Sequence, residues 1–337
     1  MRLKWVRKVF SDGMHNAFTG LAFFKERHFL AFRHAVRHSA PPGSQFMMTS
    51  PDGESWTLLK NTVFPAPPAL PPGEQMDSRD NYFLNLENEL RLYSFASPPF
   101  LPAEDRYMLP HYSTVQVTRD GDTWTAPRAV MEGVILWKPI FWREKFWCAG
   151  YRRDKEAGYV VELYRSEDGF EWTRGELISG GTETFLLPMG DDTLRAFVRA
   201  EKPPYYMKIM ESRAPFEDWR EKAIIPRIIQ APHVEKVNVE YYLFGRETFS
   251  YGESKCPLKS GCAARRTKIW RINGTEAEDV IELPSYGDTS YVGTALRPDG
   301  LLLVSYYSQH EREIGVPAAE RGGNDKPADV FVAGIEL

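Results

Sequence analysis

Three segments of the chain repeat one pattern at one internal spacing: Ser50-Pro51-Asp52-Gly53-Glu54-Ser55-Trp56, Thr118-Arg119-Asp120-Gly121-Asp122-Thr123-Trp124 and Ser166-Glu167-Asp168-Gly169-Phe170-Glu171-Trp172. Each follows a strand-like run, QFMMT, TVQV and YVVELYR respectively, and a degraded copy from Ser212 to Trp219 follows YYMKIM. Asp-Gly after a strand signals a hairpin, because Gly tolerates positive φ and the Asp side chain accepts bonds from nearby backbone amides. One such motif fits any surface turn. Three copies, roughly one per supersecondary unit of about 50 residues, predict an array of similar β units, and a ring of them is a propeller.

Reading outward from the repeats gives an all-β, six-bladed β-propeller with four-stranded antiparallel blades, as one domain over residues 1–337. The expected blades are Asn16–Lys60, Asp77–Val130, Ile135–Leu177, Glu183–Ile225, Pro232–Leu283, and a sixth from Ser290 with SYVGTAL, LLLVSYY and VFVAGIEL. Blade 6 lacks a fourth strand before the sequence ends, and the N-terminal LKWVRKVF can supply it and remove an open sheet edge. The stretches Pro65–Gly73 and Phe249–Arg266 are irregular, and the repeat continues across both.

The bulk numbers limit the function classes. A net charge of −4 and no clustered basic face argue against nucleic acid. MRLKWVRKVFSDGMH has no uninterrupted apolar core, and no run approaches a membrane span, so no membrane partner is expected. The chain as it stands reads as cytoplasmic, or as secreted or periplasmic if a leader has been removed. Three cysteines, Cys148, Cys256 and Cys262, are too few for a disulfide framework and too sparse for a metal site. No cofactor and no metal are expected, and the oligomeric state is open. The 9 Trp, 16 Tyr and 20 Phe suit both pleated strands and sugar-binding surfaces.

If the Asp-Gly turns join third and fourth strands on one face, the starts of first strands and ends of second strands meet on the other, around the axis. Those positions carry Asn16, Asp80, Trp137 with Lys138, Glu183, His233 with Glu235, and Asp288 with Tyr291. They also carry Arg33, Arg37 and His38, Tyr151 with Arg152, Arg199, Arg246, and Tyr307 with His310. So many ionisable and aromatic groups near a packed axis imply a polar funnel.

The repeat resembles the Asp box, or bacterial neuraminidase repeat, of the sialidase superfamily, in which the box joins strands three and four of a blade. The resemblance implies three arginines for a substrate carboxylate, a Tyr nucleophile assisted by a Glu, and an Asp acid/base. Thr182-Glu183-Thr184-Phe185-Leu186 with LRAFVR to Arg199 is similar to the segment supplying the Glu and one arginine. YYLFGR to Arg246 is similar to that supplying another, and Asp288-Thr289-Ser290-Tyr291 to that supplying the Tyr. The chain departs where the family has its first arginine before Ile-Pro, reading Ala17-Phe18-Thr19, and no Asp follows Arg37 before the first repeat.

The resulting expectation is a glycoside hydrolase acting on a terminal sugar, acidic or neutral. Its candidate catalytic groups are Glu183, Tyr291, Asp80 and Asp288, and its candidate substrate contacts Arg33, Arg37, Arg199, Arg246, Trp137, Tyr307 and His310. Each has a plainer reading: carboxylates pair with arginines such as Arg79, a Tyr opening a strand packs, and Trp137 and Trp142 belong to the core before they stack on a sugar. His34, His38 and His310 with Glu311 lack the spacing of metal ligands. The alternative from another class is a non-catalytic propeller that binds a glycan or protein in the same funnel.

Overall fold

The structure, a computed structural model, describes residues 1–38, 42–64, 75–98, 111–190, 192–249, 265–313, 323 and 326–337. Pro65–Gly73, Cys256, Cys262 and most of the Phe249–Arg266 segment lie outside these. The described residues form six four-stranded antiparallel sheets, with one short 3-10 turn at His310–Glu313. Blades 1 to 5 are built from consecutive strands, and the innermost strands are His15–Phe24, Asp77–Asn85, Ile135–Trp142, Thr182–Pro188, Ile228–Val237 and Ser290–Leu296. Among the described residues no helix is long and apolar enough to cross a membrane.

Blade 6 closes as its missing fourth strand required. Arg2–Phe10 runs antiparallel to Asp329–Glu336, pairing Arg2 with Glu336 and Phe10 with Val330. Trp5 lies over Gly334, where an added Cβ would stand 2.4 Å from the indole, so only glycine admits the ring. Ala328 then bonds blade 1 directly, accepting from the Asn16 amide at 3.1 Å.

The three Asp-Gly hairpins share one set of bonds. Asp52 Oδ1 accepts from the amides of Glu54 and Ser55 at 2.8 Å each, Asp120 from Asp122 and Thr123, and Asp168 from Phe170 and Glu171. The glycines sit at φ of 75°, 84° and 75°. The degraded copy occupies the same place in blade 4, but Asp218 pairs with Arg220 instead of capping amides. Arginines tie each hairpin to the preceding blade: Arg297 to Asp52 O and Glu54, Arg27 to Asp122, and Arg91 to Asp168 O.

Every innermost strand carries one extra residue against its partner, a β-bulge at the same height around the axis. The pairing skips from Ala17 to Gly20, Arg79 to Tyr82, Trp137 to Ile140, Thr182 to Thr184, Gln230 to His233 and Ser290 to Gly293. The inserted positions are Phe18, Asp80, Lys138, Glu183, Ala231 and Tyr291. All but Glu183 have a φ between 48° and 58°, a region non-glycine residues rarely adopt. Bulging frees backbone groups from the ladder, and side chains of other blades take them up. Asn81 donates to Phe18 O at 3.0 Å, Thr19 to Tyr291 O at 2.7 Å, and Lys138 to Val292 O at 2.9 Å, while the Ala231 amide donates to Glu183 at 2.7 Å.

Candidate active site

Six bulges at one level turn six side chains toward a common space, and those of Glu183 and Tyr291 meet. From blade 6, the Tyr291 hydroxyl donates to Glu183 Oε1 of blade 4. The same oxygen lies 2.8 Å from Arg199 Nη1, and Oε2 holds the Ala231 amide. Glu183 is only 3% exposed and Tyr291 8%. Burial pushes the Glu183 carboxyl up, but the Arg199 charge and the bonds from Arg199 and Tyr291 outweigh it and hold the group below its ordinary value. Tyr291 is driven well above its ordinary value by burial and by the charges of Glu183 and Asp80, so its hydroxyl is protonated at rest.

Asp80, on the blade 2 bulge, forms no hydrogen bond or ion pair with the described residues and keeps partial exposure. Burial raises its carboxyl to about 7, the positive charge of Arg79 opposing and the negative charge of Glu183 adding to the rise. Lys138, on the blade 3 bulge, moves the other way: burial lowers its ammonium to about 7 against the pull of Glu183, Asp80 and Glu235. Two groups that titrate near neutrality therefore share the axis with the Tyr291–Glu183 pair.

Arg199 and Arg246 flank that pair. Arg199 also reaches Glu201 at 2.8 Å, and Arg246 lies over the Tyr291 ring with its guanidinium carbon 5.9 Å from the centroid. Arg246 is fixed from behind by Gln230 at 2.9 Å and by Asp288 at 3.1 Å.

Several expected site residues stand elsewhere. Asp288 has no exposed side-chain surface and accepts from Arg246, Tyr307, His15 and His38, so it anchors the site's wall and is no partner for an open carboxylate pair. Burial alone would push its carboxyl up, and the hydrogen bonds from His15 and His38 reverse this and hold it well below its ordinary value. Tyr307 is fully buried with its hydroxyl on Asp288. Arg33 is sealed beneath the site, its fork on Asp77 at 2.6 and 3.1 Å and another amine on the Arg37 carbonyl. Arg37 itself is exposed. Trp137 is 2% exposed and packs edge-on against Tyr291 at 5.5 Å, backing the phenol instead of offering a face to a sugar. Trp142 packs with Trp147 and Phe216, and His310 lies on Phe331, 4.6 Å between centroids.

His15 and Arg79 are additions that strand-end positions did not single out. His34 stacks on Phe46 and bonds Asp12, away from the axis. His38 instead joins His15 on Asp288, and these three donor atoms lie within 4.8 Å of one another, close enough to suggest a metal. The bonds argue otherwise. Arg79 can only donate, and its Nη2 lies 3.2 Å from His38 Nε2, so that nitrogen is the acceptor and Nδ1 carries the proton given to Asp288. Burial, which lowers His38 to about 4, agrees with a neutral ring. The cluster is a hydrogen-bonded relay from Arg79 to Asp288, beside two further cations, Arg246 and Arg265.

This architecture has solved counterparts. A Dyadobacter fermentans protein of unknown function superposes with a TM-score of 0.71 at 16% identity, over 100% of this chain and 99% of that one. Trypanosoma rangeli sialidase in complex with the inhibitor DANA gives 0.68 at 11% identity over 96% of this chain and 55% of the enzyme, so the chain spans about half its length. Phage phi92 endosialidase gives 0.64 at 11% identity, over 98% and 69%. The fold is that of a sialidase-like propeller. At these identities the likeness is one of fold. No protein-family model matches the sequence, and no curated protein matches it.

Proposed function

We propose that the protein is a glycoside hydrolase of the sialidase superfamily, with Asp-box hairpins on one face and a sugar site on the other. The observation that carries this reading is the Tyr291 hydroxyl bonded to Glu183 beside Asp80, whose carboxyl sits near 7. A phenol is a poor nucleophile until a base removes its proton. Glu183, kept ionised by Arg199, is that base. As positive charge grows at the anomeric carbon, the Tyr291 oxygen forms the new bond, its proton passes to Glu183, and the glycosidic bond breaks. Asp80, protonated below about 7, gives its proton to the departing oxygen. In the second half, Asp80 takes a proton from water, water displaces the tyrosyl oxygen, and Glu183 returns the phenol proton. The anomeric configuration is retained.

Arg199 and Arg246 favour an acidic sugar, since both cations lie against the Tyr291–Glu183 pair. The test is a screen of aryl glycosides and sialosides with the purified protein, followed by trapping with a fluorinated sugar and mass spectrometry. Hydrolysis with a sugar adduct on Tyr291 is expected. Absence of turnover across the screen, with saturable sugar binding, transfers the protein to the non-catalytic class.

A further inference from the structure

A cavity of about 350 Å³ lies between the innermost strands of blades 1, 2, 5 and 6. Its lining residues follow the bulged positions along each strand, so it sits on the side of the bulge level that faces the Asp-Gly hairpins. Arg199 and Arg246 pair with residues before the bulges and stand on the other side. The volume is near the lower end of the roughly 300–1,000 Å³ of small-molecule pockets. Leu296, 55% exposed, belongs to the lining, so the cavity reaches solvent.

The charge of the lining comes from Glu235, whose side chain is 37% exposed. Its Oε2 accepts from the Thr294 hydroxyl at 2.7 Å, and His233 Nε2 lies 2.8 Å from that hydroxyl and 3.3 Å from Oε2. A hydroxyl has one proton, here given to the carboxylate, so Nε2 donates to the hydroxyl oxygen and Nδ1 is left as an acceptor. Burial, together with the Lys138 charge, lowers His233 to about 4, in keeping with a neutral ring. Burial pushes the Glu235 carboxyl up, but the bonds from His233 and Thr294 outweigh it and keep the group ionised. His233 is 5% exposed, and among the described residues no donor reaches its Nδ1 or Glu235 Oε1. The two polar atoms left over are thus both acceptors, one of them on an ionised group. Leu21, Leu84 and Tyr82 line the same space. Glu235 would repel an anion, a neutral polyol would leave its charge unpaired, and a hard metal ion asks for about six oxygen ligands where the side chains offer one carboxylate. A cation with N–H donors on an apolar stem matches both the acceptors and the walls.

We propose that this cavity is a second ligand site, distinct from the sugar site, that takes a small organic ammonium ion with an apolar stem. Glu235 receives the charged N–H group, Thr294 and His233 hold the carboxylate in place, and Tyr82 and the leucines take the stem. Isothermal titration at pH 7 with n-butylammonium and benzylammonium chlorides, each against the alcohol of the same shape, tests it. The wild type binds at least one amine saturably, about tenfold or more tighter than its alcohol. Glu235→Gln removes that preference and leaves the alcohol unchanged, and Glu235→Asp keeps part of it. Glu183→Gln, in the sugar site, leaves amine binding as it was. Melting curves establish that each variant is folded, and a wild-type crystal soaked with the tighter amine shows its nitrogen on Glu235 whether or not the variants fold. An amine preference kept by Glu235→Gln, amine binding lost in Glu183→Gln, or a soaked amine seated away from Glu235 overturns the proposal. So does a wild type that binds amine and alcohol equally or binds neither, and so does calcium or zinc chloride binding where the amines do not, which assigns the carboxylate to a metal. These outcomes leave the glycosidase reading to be decided by its own sugar screen.

Discussion

The Tyr291 hydroxyl and the Glu183 carboxylate meet although they come from blades 6 and 4, each projecting from the extra residue of a bulged inner strand. Glu183→Gln keeps the size of the side chain but removes the base, and is expected to lower turnover of any substrate by at least about a hundredfold. The carboxylate is sealed between Arg199 and the Ala231 amide, so the variant leaves Arg199 with Glu201 as its one ion-pair partner among the described residues and loses about 1–3 kcal/mol of stability. Tyr291→Phe abolishes adduct formation at a smaller cost in stability. Intact activity in either variant, measured by initial rates, removes the assignment.

Asp80 is expected to set the alkaline limb of the pH–rate profile. With its carboxyl near 7, activity falls as pH rises through that value, because the leaving group loses its acid. Asp80→Asn flattens the limb and slows substrates with poor leaving groups much more than activated aryl glycosides. The same shift has a stability sign. The folded carboxyl binds its proton more tightly than the unfolded one, so the stabilisation is full below about 4 and lost as pH rises through about 7. Chemical denaturation at pH 5 and 8 should show the variant losing that dependence.

Lys138 is expected to tune Asp80. Removing a cation near a carboxylate raises its pKa, so Lys138→Met moves the alkaline limb to higher pH. The bond to Val292 O is lost as well, costing about 1 kcal/mol. A limb that stays in place shows that Lys138 acts only as a backbone donor.

Gly293→Ala probes how closely neighbouring blades approach at the axis. A Cβ there would lie 2.2 Å from the Leu21 amide nitrogen, and backbone cannot step aside as a side chain can. A loss of about 3 kcal/mol or more is expected by thermal or urea unfolding, whereas Gly133→Ala, with open space around it and only the strain of its φ of 73° to bear, loses about 1–2 kcal/mol.

The repeats made the ring legible: Asp-Gly after a strand gives a blade its last turn, and six first strands follow from counting between the turns. Strand order then puts Glu183 and Tyr291 on one face without any knowledge of packing. Depth is a different matter. Arg33, Asp288 and Tyr307 look like Arg199 and Asp80 in sequence, and only the packed structure shows that the first three are buried, Arg33 on Asp77 and Tyr307 on Asp288. Arg79 was hidden by the bulge beside it. In a regular strand neighbouring residues face opposite ways, and an inserted residue resets that alternation. Nothing in Arg79-Asp80-Asn81-Tyr82 announces the insertion. Of the three histidines weighed together, His38 alone reaches the axial cluster, and its companion there is His15, on the inner strand of blade 1.

The pairing of Arg2–Phe10 with Asp329–Glu336 has a consequence for the order of events during synthesis. Arg2–Phe10 is made before the five complete blades that separate it from its partner, so it must wait through them with its edge unsatisfied. Its lysines and arginines, at Arg2, Lys4, Arg7 and Lys8, oppose premature strand addition by another nascent chain. A permuted gene that joins Leu337 to Met1 through a short linker and opens the ring between blades 3 and 4 would convert this longest-range contact into a hairpin. Such a chain should refold faster than the native order while reaching the same end state.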